Sequence, residues 1–324
     1  VLSSPRLPFA LLACLALVGC TRPASTLPPP SEPSPVYGDA FWSTWGDGRA
    51  ELCAYDLVTP RYGAPRRGTA VSILVTETFS NEARVKTTPG VHGRTDEFPV
   101  LKLNLVQDFA TGIYDYNLMT SSFTALAPMN ARPAGAPTKV SFSAQEWCGH
   151  VYAQLLFDAR YGRFSQHSYF DGEADADSSL LLPGHSTSED ALLVWARGLA
   201  TPVVAAGDST SRPIVRSLRT ARLLHQPVIV ETAWYSRATT PEMVTVPAGT
   251  FETEVATVRV EGGRTWRFWV ERGGAGRVVR WSCSDGEQAE LLGADRLDYW
   301  RQNAPDGEQA LARLGLKPRA ARMP

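Results

Sequence analysis

The chain has 324 residues but only five cysteines, four methionines and five histidines. It also lacks an excess of either charge: 32 Lys and Arg stand against 33 Asp and Glu, a net of -1. So few thiols exclude a disulfide-framework fold. Balanced charge excludes nucleic acid as the main partner, because phosphate binding needs a concentrated basic surface. The apolar run 7–18, broken by Pro8, is too short to span a bilayer of about 30 Å. There is no internal repeat of roughly 20–50 residues, no Gly-rich phosphate loop, no G-x-S-x-G elbow and no paired-cysteine zinc motif. The histidines show no metal-ligand spacing. Neither a cofactor nor a metal is implied. What is present is globular: 44% apolar and 10% aromatic residues, with length for one large or two modest domains.

The first twenty residues read as an address. One charge, Arg6, precedes the apolar run and a small-residue end, the pattern of a secretory signal peptide. Its last residues, Leu17-Val18-Gly19-Cys20, resemble the bacterial lipoprotein box, in which cleavage falls before the cysteine and the cysteine is acylated. The resemblance implies a signal peptide over 1–19 and a lipid anchor, carrying palmitate-type chains, at Cys20. Several chains at about 0.8 kcal/mol per buried methylene suffice for stable attachment to the bilayer. Thr21, where Asp would favour the inner membrane, implies the periplasmic face of the outer membrane. The alternative is a plain secreted chain with a chance cysteine. Six of the fifteen positions from 21 to 35 are Pro. Proline fixes φ and removes donors, so 20–38 is expected to be a semi-stiff tether rather than an element of the fold.

Beyond residue 38 the dominant period is two. Segments 71–78, 101–106, 113–123, 140–147, 151–157 and 164–170 read as strands separated by Gly and Pro turns, with 140–157 as a hairpin around Cys148-Gly149-His150. Residues 171–184 are acidic and small and read as a loop. One helix is expected over 188–199, capped by Ser186 or Ser188 and ended by Pro202. Strands resume at 228–235, 244–260, 264–271, 277–283 and 289–292, and 306–314 reads as a short helix. The expected fold is mostly β: curved antiparallel sheets forming an open half-barrel around one helix. The organisation expected is an N-terminal β-rich domain over 39–175, a C-terminal half-barrel-like domain over 176–303, and a C-terminal helix and tail over 304–324.

Two resemblances add to this. The segments VPAGTFETEVATV, TWRFWVERGGAGRVVRWS and AELL resemble a family of exported bacterial domains of unknown function, similar in architecture to the half-barrels of lipoprotein carriers. That implies a sheet folded around an apolar groove. The segments FWSTWGDGRAELCAYDL, LKLNLVQDFATGIYDYNLMTSSF and SAQEWCGHVYAQL resemble a group of bacterial lipoproteins that circulate under the label septum formation inhibitor Maf. Proteins that merit that label are nucleotide pyrophosphatases opening with Ser-x-Ser-Pro-Arg-Arg. The only echo here is Ser3-Ser4-Pro5-Arg6, inside the expected signal peptide and lacking the second Arg.

The candidate chemistry is sparse. Cys148 and His150 are two apart, so an extended backbone puts thiol and imidazole on one face, as a thiol enzyme would need. Asp171 and Glu173 are the carboxylates that could assist such a pair. The plainer reading is a structural cysteine beside a turn, or half of a disulfide among Cys53, Cys148 and Cys283, with Cys148–Cys283 joining the two halves. Asp171, Glu173, Asp175 and Asp177 alternate, yet lack the further ligands of a calcium loop. Trp266, Trp269, Tyr114 and Tyr116 are the aromatics that could line a groove, Trp269 foremost because it falls on the polar face with Arg267 and Glu271. The leading expectation is therefore a non-enzymatic envelope protein that binds an apolar or amphipathic ligand, or another envelope component. The rivals are a hydrolase or thiol enzyme at Cys148 and His150, and a scaffold without ligand.

Overall fold

The computed structural model describes residues 33–88, 90–93, 95–129, 131–304 and 306–318. Cys20, the expected signal peptide and the tether to residue 32 lie outside the described residues. Contacts divide the chain into units 1–31 and 32–324, and the fold described is that of the second.

Its strands are β1 (Ala50–Arg61), β2 (Ala64–Ser80), β3 (Glu97–Thr111), β4 (Tyr114–Ala125), β5 (Pro137–Glu146), β6 (Gly149–Phe157), β7 (Tyr161–Ser168), β8 (Ala176–Leu181), β9 (Thr187–Ser188), β10 (Ser209–Val215), β11 (Val230–Arg237), β12 (Glu242–Val246), β13 (Gly249–Val260), β14 (Thr265–Glu271), β15 (Val278–Cys283) and β16 (Gln288–Leu297). Three short helices accompany them among the described residues: α1 (Asp39–Trp45), α2 (Leu192–Ala196) and α3 (Leu218–Leu224). All sixteen strands belong to one open sheet, ordered β8-β7-β6-β5-β4-β3-β2-β1-β16-β15-β14-β13-β11-β10-β9, with β12 beside β13. Every pairing is antiparallel except β9–β10. The segments 39–175 and 176–303 are thus continuous in one sheet through β1–β16, where Ala50 faces Leu297.

The inner face of β1 shows how period two builds the core: Cys53, Tyr55, Leu57 and Thr59 are buried, and Arg61 follows at the strand end. The sheet curls around the chain between β9 and β11. Trp195 of α2 is almost wholly buried. It meets Tyr235 edge-on with ring centroids 4.9 Å apart, and its indole N–H donates to the Pro202 carbonyl at 2.9 Å. On the far wall Tyr55 and Trp281 meet edge-on at 4.6 Å. This is the expected half-barrel around a helix, but with the interior filled by the protein's own side chains.

Elements α1, β1, β10 and α3 have no counterpart among the expected segments, and three expected segments take another form. The helix expected over 188–199 is a single 3₁₀ turn, Glu189–Ala191, followed by α2. Ser188 does cap it, accepting from the Asp190 N–H. Gly198, at φ +75°, turns the chain before Pro202 can. The loop expected over 171–184 contains β8, an edge strand exposed along most of its length. It has no buried face, so it carries no alternation to read. The C-terminal helix is 3₁₀, Gly307–Leu314, and Leu314 packs with Leu52 and Leu297.

Candidate binding site

In an antiparallel meander alternate turns fall on one rim. Here the β1–β2, β3–β4 and β5–β6 turns share a rim with the β13–β14 and β15–β16 turns, as the registers Glu51↔Leu74, Thr111↔Tyr114 and Val58↔Gln288 require. Three of these turns carry exposed apolar residues: Tyr62, Ile113 and Trp147. Helix α3 packs into this mouth, with Leu218 in the same core cluster as Leu118, Phe142 and Val215.

Long-range polar contacts hold α3 there. At its start Asp190 accepts the Ser217 hydroxyl at 2.6 Å and the Leu218 N–H at 2.9 Å, and Glu189 accepts the Ser217 N–H at 2.9 Å. Burial raises the Asp190 carboxyl to about 6, against the lowering effect of those donors. At the other end Arg222 pairs with Glu146 at 3.0 Å and its guanidinium lies 3.8 Å from the Phe170 ring centroid. His225 Nδ1 meets Glu173 Oε1 at 2.5 Å.

Beneath α3 lies a small cavity of about 50 Å³ with both apolar and polar walls, formed by β3, β4, β14, β15 and the turn before α2. Most of its polar groups are committed. Glu189 accepts from Arg264 through Nε and Nη2, both at 2.9 Å, and from the Trp266 indole at 2.8 Å. Glu287 accepts from the Trp281 indole at 3.1 Å and pairs with Arg219 at 2.7 Å. Gln107 is one exception. It is 1% exposed, and neither Nε2 nor Oε1 has a hydrogen-bond partner among the described residues.

Outside α3 a groove of about 530 Å³ opens along the rim, lined in part by Arg61, Tyr62, Arg219, Leu224 and Arg264. Arg216, Arg219 and Arg264 each pair with a glutamate. Arg61 pairs with no carboxylate among the described residues. Its guanidinium donates to Tyr116 Oη at 3.2 and 3.0 Å, to the Leu223 carbonyl at 2.6 Å and to Tyr62 Oη at 3.3 Å. The Tyr62 and Tyr116 hydroxyls are 2.7 Å apart, and Tyr114 donates to Tyr62 at 3.4 Å. Burial raises the Tyr116 phenol well above its ordinary value. For Tyr62 burial acts in the same sense, but the hydrogen bonds from Tyr114 and Tyr116 and the Arg61 charge outweigh it and lower the phenol.

The residues singled out from the sequence divide accordingly. Tyr116 and Tyr114 belong to the Arg61 cluster, and Trp266 reaches the cavity through Glu189. Trp269 does not stand on an open polar face. It is buried, its indole donates to Glu242 of β12 at 2.8 Å, and Arg267 and Arg280 flank its ring. Cys148 sits exposed in the β5–β6 turn. It shares a shallow depression with His150, His167 and Asp175, where His167 Nδ1 meets Asp175 Oδ1 at 2.9 Å. No hydrogen bond joins the Cys148 thiol to His150 among the described residues. Glu173 is spent on His225 and Ser168, and Asp171 is exposed. The structure does not gather Cys148, His150, Asp171 and Glu173 into one site. The three described cysteines are all free, so no Cys148–Cys283 bridge forms: Cys283 is buried in β15 while Cys148 is exposed.

Sequence reading missed Arg61, Gln107, Asp190 and Arg219. Gln107 left a signal, because it interrupts the inward ladder Leu101, Leu103, Leu105, Gln107, Phe109.

No protein-family model matches the chain, and no curated protein matches it. One solved structure is similar in part: the crystal structure of a β-barrel-like protein of domain of unknown function DUF1849 from Brucella abortus. It superposes with a TM-score of 0.45 at 11% identity, over 77% of this chain and 98% of that one.

Proposed function

We propose that this protein is an exported, non-enzymatic binding protein, anchored at Cys20 to the periplasmic face of the outer membrane, and that the mouth of its half-barrel takes an anionic amphiphile. The observation that carries this reading is Arg61. Its guanidinium lines a groove of about 530 Å³ with phenol and carbonyl partners and no carboxylate among the described residues. A half-buried cation whose hydrogen-bond partners are neutral gains most from an incoming anion, and the gain is larger where water is thinned. Tyr62 and Leu224, both exposed, offer apolar surface to an attached chain at roughly 25 cal/mol per Å² before ordering costs. The groove at the rim is of a size that holds an ordinary ligand.

The test is calorimetric titration with a 1-acyl lysophosphatidic acid below its micelle concentration. Saturable binding that weakens at least tenfold in Arg61→Gln supports the reading. Absence of binding, or equal binding by the variant, removes it. The anchor is tested separately: labelled palmitate should enter the wild-type chain in cells and not Cys20→Ala.

A further inference from the structure

The cavity under α3 adjoins the groove at the mouth, and a role for it in binding rests on the mouth being a ligand site. A carboxamide that is 1% exposed with both polar atoms unpartnered is strongly disfavoured unless something other than the protein answers it. Gln107 lines the cavity, and the cavity meets the groove at Arg219, Thr220 and Glu287, which line both. At that junction Arg219 Nε is a second buried donor without a partner among the described residues.

Charge decides what the cavity admits. Glu189 and Glu287 are balanced by Arg264 and Arg219. Asp190 adds a carboxylate with hydrogen bonds but no ion-pair partner among the described residues. An anion is therefore repelled from the cavity, and a neutral group is admitted. A carboxamide presents donors and an acceptor together, and the neutral group that answers both in little space is the hydroxyl. At one water-sized sphere per roughly 10–15 Å³, about 50 Å³ holds roughly three to five non-hydrogen atoms. That fits a vicinal diol and not a sugar ring.

We propose that this cavity is a subsite for the neutral, vicinal-diol end of the ligand, held by Gln107 and by Arg219 Nε, while the anionic group and the chain lie in the groove at Arg61. The ligand class is then a polyol joined through an anionic link, either as a lipid head group or as a free polyol phosphate.

Three probes separate the possibilities by calorimetry: 1-acyl lysophosphatidic acid, the lysophosphatidylglycerol of the same chain, and glycerol 1-phosphate. We expect lysophosphatidylglycerol to bind at least tenfold more tightly than lysophosphatidic acid. Gln107→Leu should erase that difference and leave lysophosphatidic acid affinity unchanged. Thr120→Val, on the same cavity wall, should shrink the difference and serves where Gln107→Leu does not fold. Equal affinity of the two lysolipids in the wild type, or a preference that survives both variants, overturns the subsite while leaving the mouth intact. Glycerol 1-phosphate binding as tightly as lysophosphatidylglycerol supports the subsite and assigns it to a free polyol phosphate. If neither lysolipid nor glycerol 1-phosphate binds, mouth and subsite both fall.

Discussion

Asp190 and Ser217 are 27 residues apart, yet the Asp190 carboxylate accepts the Ser217 hydroxyl at 2.6 Å. Ser217 is also the N-cap of α3, accepting from the Thr220 N–H. One carboxylate therefore ties the turn before α2 to the helix that occupies the mouth.

That tie has a pH signature. The folded-state carboxyl lies at about 6, above its ordinary 3.8. A carboxyl raised on folding binds its proton more tightly in the native state, so its contribution to stability falls as pH rises from about 4 to about 6 and is flat above. A rise from 3.8 to about 6 corresponds to roughly 3 kcal/mol. Asp190→Asn keeps an acceptor for Ser217 but cannot titrate. Urea unfolding at pH 4, 5, 6 and 7 should show that decline in the wild type, and a curve flatter by most of it in the variant. Parallel curves would refute the assignment.

Trp195 is, with Trp281, one of the largest almost wholly buried side chains, held edge-on to Tyr235 and bonded to the Pro202 carbonyl. Trp195→Ala leaves a cavity that the surrounding strands cannot close, so it should cost about 3–5 kcal/mol in a denaturant titration. Trp300, which is exposed, is the matched control, and its alanine variant should stay within about 0.5 kcal/mol of wild type.

How much of the fold and the site was legible in the sequence depends on where each element gets its stability. The β5–β6 hairpin could be read because Val140, Phe142 and Ala144 alternate with polar neighbours and all three are buried. Edge strand β8 could not, because neither of its faces is buried along most of its length. Helix α3 is seven residues long, too short to be stable alone, and its anchors Asp190, Glu146 and Glu173 come from distant strands and turns. The Arg61 cluster was illegible for the same reason: Tyr116 and Leu223 lie 55 and 162 residues away. The aromatic candidates Tyr114, Tyr116 and Trp266 fall beside the Arg61 cluster and the cavity, and large rings beside strand ends are conspicuous in a sequence. Trp269 was misplaced because the covering carboxylate, Glu242, belongs to a strand paired one step further along the sheet.

The thiols should report exposure directly. Cys148 is exposed, whereas Cys53 and Cys283 are buried, and burial pushes the Cys53 thiol up to about 12. Thiolate is the reacting form, so at pH 8 a dithiobis-nitrobenzoate assay on a chain begun at residue 33 should count one fast thiol in the native state. The other two should appear only in denaturant. Cys148→Ser should abolish the fast phase, and any other pattern contradicts the placement of β1, β15 and the β5–β6 turn.

The pair Glu146–Arg222 carries the most consequential substitution. The carboxylate and guanidinium meet at 3.0 Å with both side chains almost fully buried. Glu146 Oε2 and Arg222 Nε have no further partner among the described residues. Such a pair contributes little over an apolar replacement, because desolvation consumes most of the attraction, but removing one member strands a buried charge. Arg222→Met should therefore cost about 3–5 kcal/mol, while Arg222→Met combined with Glu146→Met should recover most of that loss. The same single substitution frees the C-terminal end of α3 from β5, so it should also weaken lysophosphatidic acid binding at the mouth, and the double variant should restore it. Denaturant titrations of the four proteins measure the first effect and calorimetry the second. A single variant within about 1 kcal/mol of wild type, against the loss expected for a stranded buried charge, would show that this ion pair does not hold the helix in place.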